Sequence, residues 1–256
     1  MRGTFLLLLA CLLATAGRAA VPAFTDDMAQ RTLACTSCHG REGRAGPDGY
    51  YPRIAGKPEG YLYNQLLHFR DGRRHYGLMA GLLEPLSNDY LQEIACHFAQ
   101  QDVPYPQPPA STRPPAVLQR GRALALQGDA ERRLPACASC HGKALTGVQP
   151  DVPGLLGLPR DYLNAQLGAW RTGQRRAHAP DCMAEIARRL SADDVSAVTA
   201  WLAAEPVPVN AGPVSMVSTQ ATAPARRKGR MVAPVAPEAP AMRCGSVPLP
   251  LAGLRP

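Results

Sequence analysis

The hexapeptide Cys35-Thr36-Ser37-Cys38-His39-Gly40 recurs as Cys137-Ala138-Ser139-Cys140-His141-Gly142, 102 residues later. The likeness continues downstream of both copies. Pro52, Ile54, Gly56, Pro58, Tyr61, Leu62, Gln65, Leu66, Phe69, Arg70 and Gly72 meet Pro153, Leu155, Gly157, Pro159, Tyr162, Leu163, Gln166, Leu167, Trp170, Arg171 and Gly173 at an offset of 101. Met79, Leu86, Ser87 and Asp89 then meet Met183, Leu190, Ser191 and Asp193 at an offset of 104. Self-similarity on this scale marks a duplicated unit whose loops have changed length by a few residues. The chain therefore divides into a first domain at 21–102 and a second at 116–205. Between them, residues 103–115 hold Pro104, Pro106, Pro108, Pro109, Pro114 and Pro115, a semi-stiff linker.

Each half reads as three helices, and the fold class is all-α. The first helix leads into the cysteine motif, with Thr25 as N-cap in one half and 117–126 as the counterpart in the other. The middle helix has Pro58 or Pro159 in its first turn, where a missing N–H costs nothing, and stops at Gly72 or Gly173. It carries the apolar stripe Tyr61, Leu62, Leu66, Phe69 or Tyr162, Leu163, Leu167, Trp170. The last helix is capped by Ser87 or Ser191, with Asp194 completing a weak capping box, and its stripes (Leu91, Ile94, Ala95, Phe98; Val195, Val198, Thr199, Leu202) follow helical spacing. No strand pattern competes. Aromatic residues make up only 5% of the chain, so two small domains have little apolar area of their own, and a large planar prosthetic group would supply it.

The ends differ from the body. Residues 1–20 read as a secretory signal: Arg2, an apolar run from Phe5 to Ala14, and the small-residue exit Ala16-Gly17-Arg18-Ala19-Ala20. The rival reading, a lipoprotein box at Leu8-Leu9-Ala10-Cys11, leaves too short a leader. From Pro206 to Pro256 ten prolines in 51 residues exclude a packed helical domain, and the segment is expected to be disordered or extended. The formal charge of +8 lies mostly at the ends. Arg2 and Arg18 are in the leader, and Arg226, Arg227, Lys228, Arg230, Arg243 and Arg255 face one acid, Glu238, in the tail, which leaves about +1 for residues 21–205. A near-neutral body argues against nucleic-acid binding; the tail is either a plain flexible tail or a peripheral tether to an anionic partner or membrane surface.

Cys-x-x-Cys-His is the attachment signature of c-type haem. Cysteines three apart on one helical turn can each add to a vinyl group at one porphyrin edge, and the adjoining histidine is placed beneath the iron. Thioredoxin-like and zinc motifs are the alternatives, but the chain lacks a βαβ pattern and the two pairs lie in separate repeats. Two covalent haem c groups are expected, at Cys35/Cys38 with His39 and at Cys137/Cys140 with His141. The sixth iron ligand needs a soft or imidazole donor. Met79 and Met183 are the candidates, each in a loop ahead of the capped last helix. His75 and His178 are rivals that do not align in the repeat and read mainly as exposed loop residues, while His68 and His97 read as surface or satisfied helix histidines.

On these motifs the chain resembles the tandem diheme class I cytochromes c, the cytochrome c4 type above all, over residues 25–204. The resemblance rests on both CxxCHG copies, Pro52-x-Ile54-x-Gly56 with Tyr61-Leu62-x-x-Gln65-Leu66 and their counterparts, and the Met-to-Leu-Ser-x-Asp segments. It implies ligation by His39 with Met79 and His141 with Met183, and haems close enough for internal electron transfer. The tail departs from that pattern, as does Cys182 directly before Met183. Cys96, Cys182 and Cys244 have no haem role; a Cys96–Cys182 bridge, an intermolecular bond through Cys244 and plain thiols are all open.

An iron closed on both faces passes single electrons and offers substrate no coordination site. The expected function is a periplasmic electron carrier, not an enzyme, whose partners are redox proteins: an oxidase, a reductase or a dehydrogenase. A diheme enzyme with one gated iron and a cytochrome subunit of a dehydrogenase are the alternatives, and the matched methionine in each half argues against the first.

Overall fold

A computed structural model describes residues 25–209, 211–215 and 244–249. The expected leader, and the tail's basic cluster from Arg226 to Arg243, lie outside the described residues.

The first half opens with α1 (Met28–Arg31) and α2 (Leu33–His39), which follow each other with only Thr32 between them. The N-cap is Asp27, whose carboxylate accepts from Gln30 N at 2.8 Å; Thr25 stands two residues too early for that role. A loop then leads to α3 (Glu59–Arg70), α4 (Gly77–Leu83) and α5 (Asn88–Ala99). The second half has α6 (Pro115–Leu126), a ten-residue connection, α7 (Cys137–His141), α8 (Arg160–Arg171), α9 (Cys182–Arg189) and α10 (Ala192–Ala204). A two-residue antiparallel hairpin, β1 (Gly147–Val148) with β2 (Val152–Pro153), lies between α7 and α8. The sequence shows no sign of it, because strands this short have no period to read.

The caps follow the expected chemistry. Pro58 and Pro159 precede α3 and α8 as N-caps, and Gly72 and Gly173 follow the helices at φ 70° and 76°, a conformation that glycine adopts without steric cost. Ser87 accepts from Tyr90 N, and Ser191 with Asp194 forms a full capping box. In both halves the first helix packs on the last, α1 on α5 and α6 on α10, while the middle helix packs across it. Leu62, Tyr63, Leu67, Phe69, Leu83, Leu91, Ile94 and Phe98 form the first core. Ala125, Leu145, Leu156, Leu158, Leu163, Val198, Trp201 and Leu202 form the second.

The segment beyond Pro206 is anchored at two described places. Val214 pairs with Val148 beside the hairpin, donating to Gly147 O at 3.0 Å and accepting from Gln149 N at 2.8 Å. Cys244 forms a disulfide with Cys182, a pairing that none of the three sequence options named: the bond is intramolecular, Cys182 and Cys244 are not plain thiols, and Cys96 takes no part in it. Among the described residues no helix is long and apolar enough to cross a membrane.

Candidate functional site: two haem-attachment helices and the polar seam between them

Short helices present both cysteine motifs, and the glycine after each histidine has a steric reason. Gly40 and Gly142 turn the chain at φ 74° and 84°, and a Cβ at Gly40 would stand 2.5 Å from Ala45 O. His39 Nδ1 lies 2.8 Å from Pro52 O, and His141 Nδ1 lies 2.7 Å from Pro153 O. A carbonyl only accepts, so Nδ1 must carry the proton, and the lone pair is left on Nε2 for a metal. Pro52 and Pro153 are repeat partners, so their place in the duplicated pattern is explained by this orienting bond. Burial holds both imidazoles below their usual pKa, against the opposing pull of those carbonyls; the charge of Arg74 adds to the lowering at His39 and that of Lys57 at His141. Both are therefore neutral, the form that binds iron. The side chains of Cys35, Cys38, Cys137 and Cys140 are all half-buried.

The sequence pattern missed the residues that join the halves. Arg73, Arg74 and His75 run antiparallel to Gln174, Arg175 and Arg176, with His75 N donating to Gln174 O at 2.9 Å and Arg176 N to Arg73 O at 2.7 Å. Arg74 donates to Gln65 Oε1, Gln166 Oε1 and Tyr162 Oη at 3.0, 2.7 and 3.1 Å. Arg175 mirrors it, donating to Gln166 Oε1, Gln65 Oε1 and Tyr61 Oη at 2.8, 2.9 and 3.5 Å. Each guanidinium also lies over an aromatic ring of its own half, Phe69 or Trp170. Tyr61 and Tyr162, assigned to an apolar stripe from spacing, thus act through their hydroxyls. The signal was present: Arg74 and Arg175 continue the 101-residue offset.

Both arginines are buried, at 9% and 5% exposure, and among the described residues neither forms an ion pair. Two adjacent buried cations without an anion are costly. Burial and the charge of Arg74 lower the pKa of Arg175. The indole N–H of Trp170, beneath Arg175, is buried without an acceptor. A porphyrin brings two propionate carboxylates, so the unmatched cations and the orphaned donor fit that group, as do the thiols and the oriented imidazoles. Farther along the seam, Lys57 of the first half is buried and donates to Gly154 O of the second at 3.2 Å; burial, reinforced by Arg53, lowers it to about 8.

Met79 and Met183, expected in loops, lie instead in the short helices α4 and α9, both half-buried, with Met79 against the first core. The rival His75 is exposed. His178 is half-buried, with its ring centroid 5.2 Å from that of His68, and it pairs with Gly245. His68 is neither a surface nor a satisfied histidine: it is 4% exposed, its Nε2 has no partner, and burial reinforced by the nearby His178 and arginines pushes its pKa down to about 4.

No family model matches the chain. It is 36% identical over 191 residues to the thiosulfate dehydrogenase electron acceptor of Thiomonas intermedia strain K12, covering 73% of this chain and 86% of that protein. It is 32% identical over 200 residues to cytochrome c4 of Pseudomonas aeruginosa, covering 76% and 96%. The structure of reduced cytochrome c4 from Pseudomonas stutzeri superposes with a TM-score of 0.57 at 28% identity, over 68% of this chain and 94% of that one. With its duplicated all-α fold and paired CxxCH helices, this chain belongs to the cytochrome c4 family of diheme electron-transfer proteins, and it carries two covalent haem c groups, which the motifs at Cys35/Cys38/His39 and Cys137/Cys140/His141 fit.

Proposed function

We propose that this protein is an exported, periplasmic carrier that accepts single electrons from a thiosulfate-oxidising dehydrogenase and passes them toward a terminal oxidase or reductase. In this reading the leader at 1–20 is removed, and the folded units are 21–102 and 116–205. The iron ligands are His39 with Met79 and His141 with Met183. The observation that carries it is the repeated geometry: each half holds a neutral, Nδ1-anchored histidine next to its cysteines and a half-buried methionine in the helix before the capped last one. Haem bound in this way supplies reversible one-electron chemistry. The chain's own residues do the rest. Pro52 and Pro153 fix the imidazoles, the apolar cores exclude water, and the Arg74/Arg175 pair supplies positive charge between the two sites, which favours the reduced state of each. The name of the Thiomonas relative supports a dehydrogenase as the donor.

Two measurements test this reading. The far-red sulfur-to-iron band of the oxidised protein should integrate to two haems; Met79→His and Met183→His should each remove half of it and lower one potential. A purified thiosulfate dehydrogenase should reduce both haems on addition of thiosulfate, whereas thiosulfate alone should not. A high-spin resting haem that reacts with cyanide or peroxide would favour a gated enzyme and overturn the carrier.

A further inference from the structure

Helix α9, which bears Met183, begins at Cys182, the residue bonded to Cys244 with a Cα–Cα distance of 5.5 Å. From that bond the described strand 244–249 crosses to the other half of the molecule. Gly245 pairs antiparallel with His178, and its N–H donates to Pro180 O at 2.9 Å. A Cβ there would stand 2.4 Å from Ala179 O and 2.5 Å from His178 O, so only glycine lets the strand lie flush on 178–180. Two residues on, Val247 makes a reciprocal pair with the side chain of Asn64 on α3. Its N–H donates to Oδ1 at 2.8 Å and its carbonyl accepts from Nδ2 at 3.1 Å. Asn64 is 4% exposed and also donates to Gly60 O at 2.7 Å, so it is a fixed docking amide. Val247 and Leu249 then pack against the first core.

Within six residues, therefore, the chain is covalently fixed to the second domain and docked on the first. Among the described residues the Met79 helix has no such strap: α4 presents Leu78 and Leu82 to solvent, at 69% and 42% exposure. We infer that residues 244–249 are an interdomain strap, anchored at Cys182, that positions the Met183 helix against the first domain, and that opening the disulfide releases it. Cys244 is exposed, and an open cleft of about 680 Å³ lined by Arg73, Arg176, Asp181, Cys182, Glu185 and Arg188 lies beside the bond. A dithiol reductant can reach it. Attack by one thiolate breaks the S–S bond, and the reductant's second thiol resolves the mixed disulfide. Cys182 and Cys244 leave as thiols with two electrons and two protons, and the reductant leaves as its disulfide. Met183 and Cys244 are thereby linked: the strap acts as a positioning element for the second iron's sulfur ligand. That part rests on the ligation proposed above.

The test uses the mature holoprotein. Non-reducing peptide mapping after trypsin should recover the peptide that begins at Cys244 joined to the one that contains Cys182. Cys244→Ser should quicken amide exchange over 178–184, lower the second haem's potential, and speed cyanide binding at that haem by about tenfold, with the first haem unchanged. Asn64→Ala, which leaves the disulfide intact, should reproduce a smaller part of each effect, and dithiol treatment should reproduce the whole. Unchanged exchange, potential and cyanide rate in Cys244→Ser, or a map that links Cys244 elsewhere, overturns the strap. If the wild-type protein lacks a sulfur–iron band at the second haem, the ligand assignment fails instead. The strap is then decided by exchange alone: quickened exchange upholds it and unchanged exchange removes it.

Discussion

Asp194 shows how one carboxylate can knit a domain. It caps α10 through Ser191, is only 6% exposed, and pairs with Arg120 and Arg132 from two other segments. Burial alone would raise its pKa, but Arg132, Ser191 and Arg120 outweigh that and bring it down to about 2. Because the folded value is depressed, its stabilisation is complete above the unfolded value near 4 and is lost as pH falls through about 2. After discounting for solvent screening this amounts to about 1–2 kcal/mol. Asp194→Asn should therefore lower stability by that amount at pH 7 and flatten the acid limb between pH 4 and 2, as followed by urea unfolding of the second domain. His68 adds a higher window: its pKa is lowered to about 4, so stability should already decline as pH falls from 6.5 toward 4. At this scale the sequence exposed the residues whose spacing is chemical, namely the cysteines, His39, His141 and the repeated prolines. It hid Arg74, Arg175 and His68, because basic residues near a helix end read as surface, and their burial arises only when the second half covers the first.

Helices were legible where periodicity and caps agree, as in α3, α5, α8 and α10. They were not legible in α4, where Gly77 and Gly81 depress helix propensity, or in α9, which follows Pro180 and carries two terminal arginines. One close helix crossing is also encoded by a single small residue. Gly121 of α6 meets α10 so tightly that a Cβ would stand 2.2 Å from Ala197 O and 2.9 Å from the Cβ of Trp201. Backbone cannot rotate away as a side chain can, so Gly121→Ala should prise α6 from α10. The expected cost is about 3 kcal/mol or more, read as a lowered melting temperature for the second haem's environment, with the first domain's transition unmoved. Gly72→Ala, where a Cβ would meet nothing within 4 Å, carries only the penalty of its φ of 70° and should cost about 1 kcal/mol.

The duplication was plain from three offsets, yet the way the halves sit together was not, since no motif encodes a seam of arginines, a buried lysine and a returning strand. Gly60 marks one close approach between the halves. On the first-half helix α3, its missing Cβ leaves room for Pro150 O of the second half, which a methyl group would meet at 2.7 Å. Gly60→Ala should widen the gap between the domains while sparing each attachment site. Flash-reduction kinetics should then show slower equilibration between the haems, with the absorption spectrum of each unaltered; equal rates in mutant and parent would count against close packing as the control. The seam has a wider consequence. Gln65 and Gln166 each accept from both Arg74 and Arg175, so any shift of one guanidinium when its neighbour site changes charge must be answered across the pseudo-dyad. Each half separated from its twin is therefore expected to lose the partners that surround its own guanidinium, and with them part of its electrostatic setting.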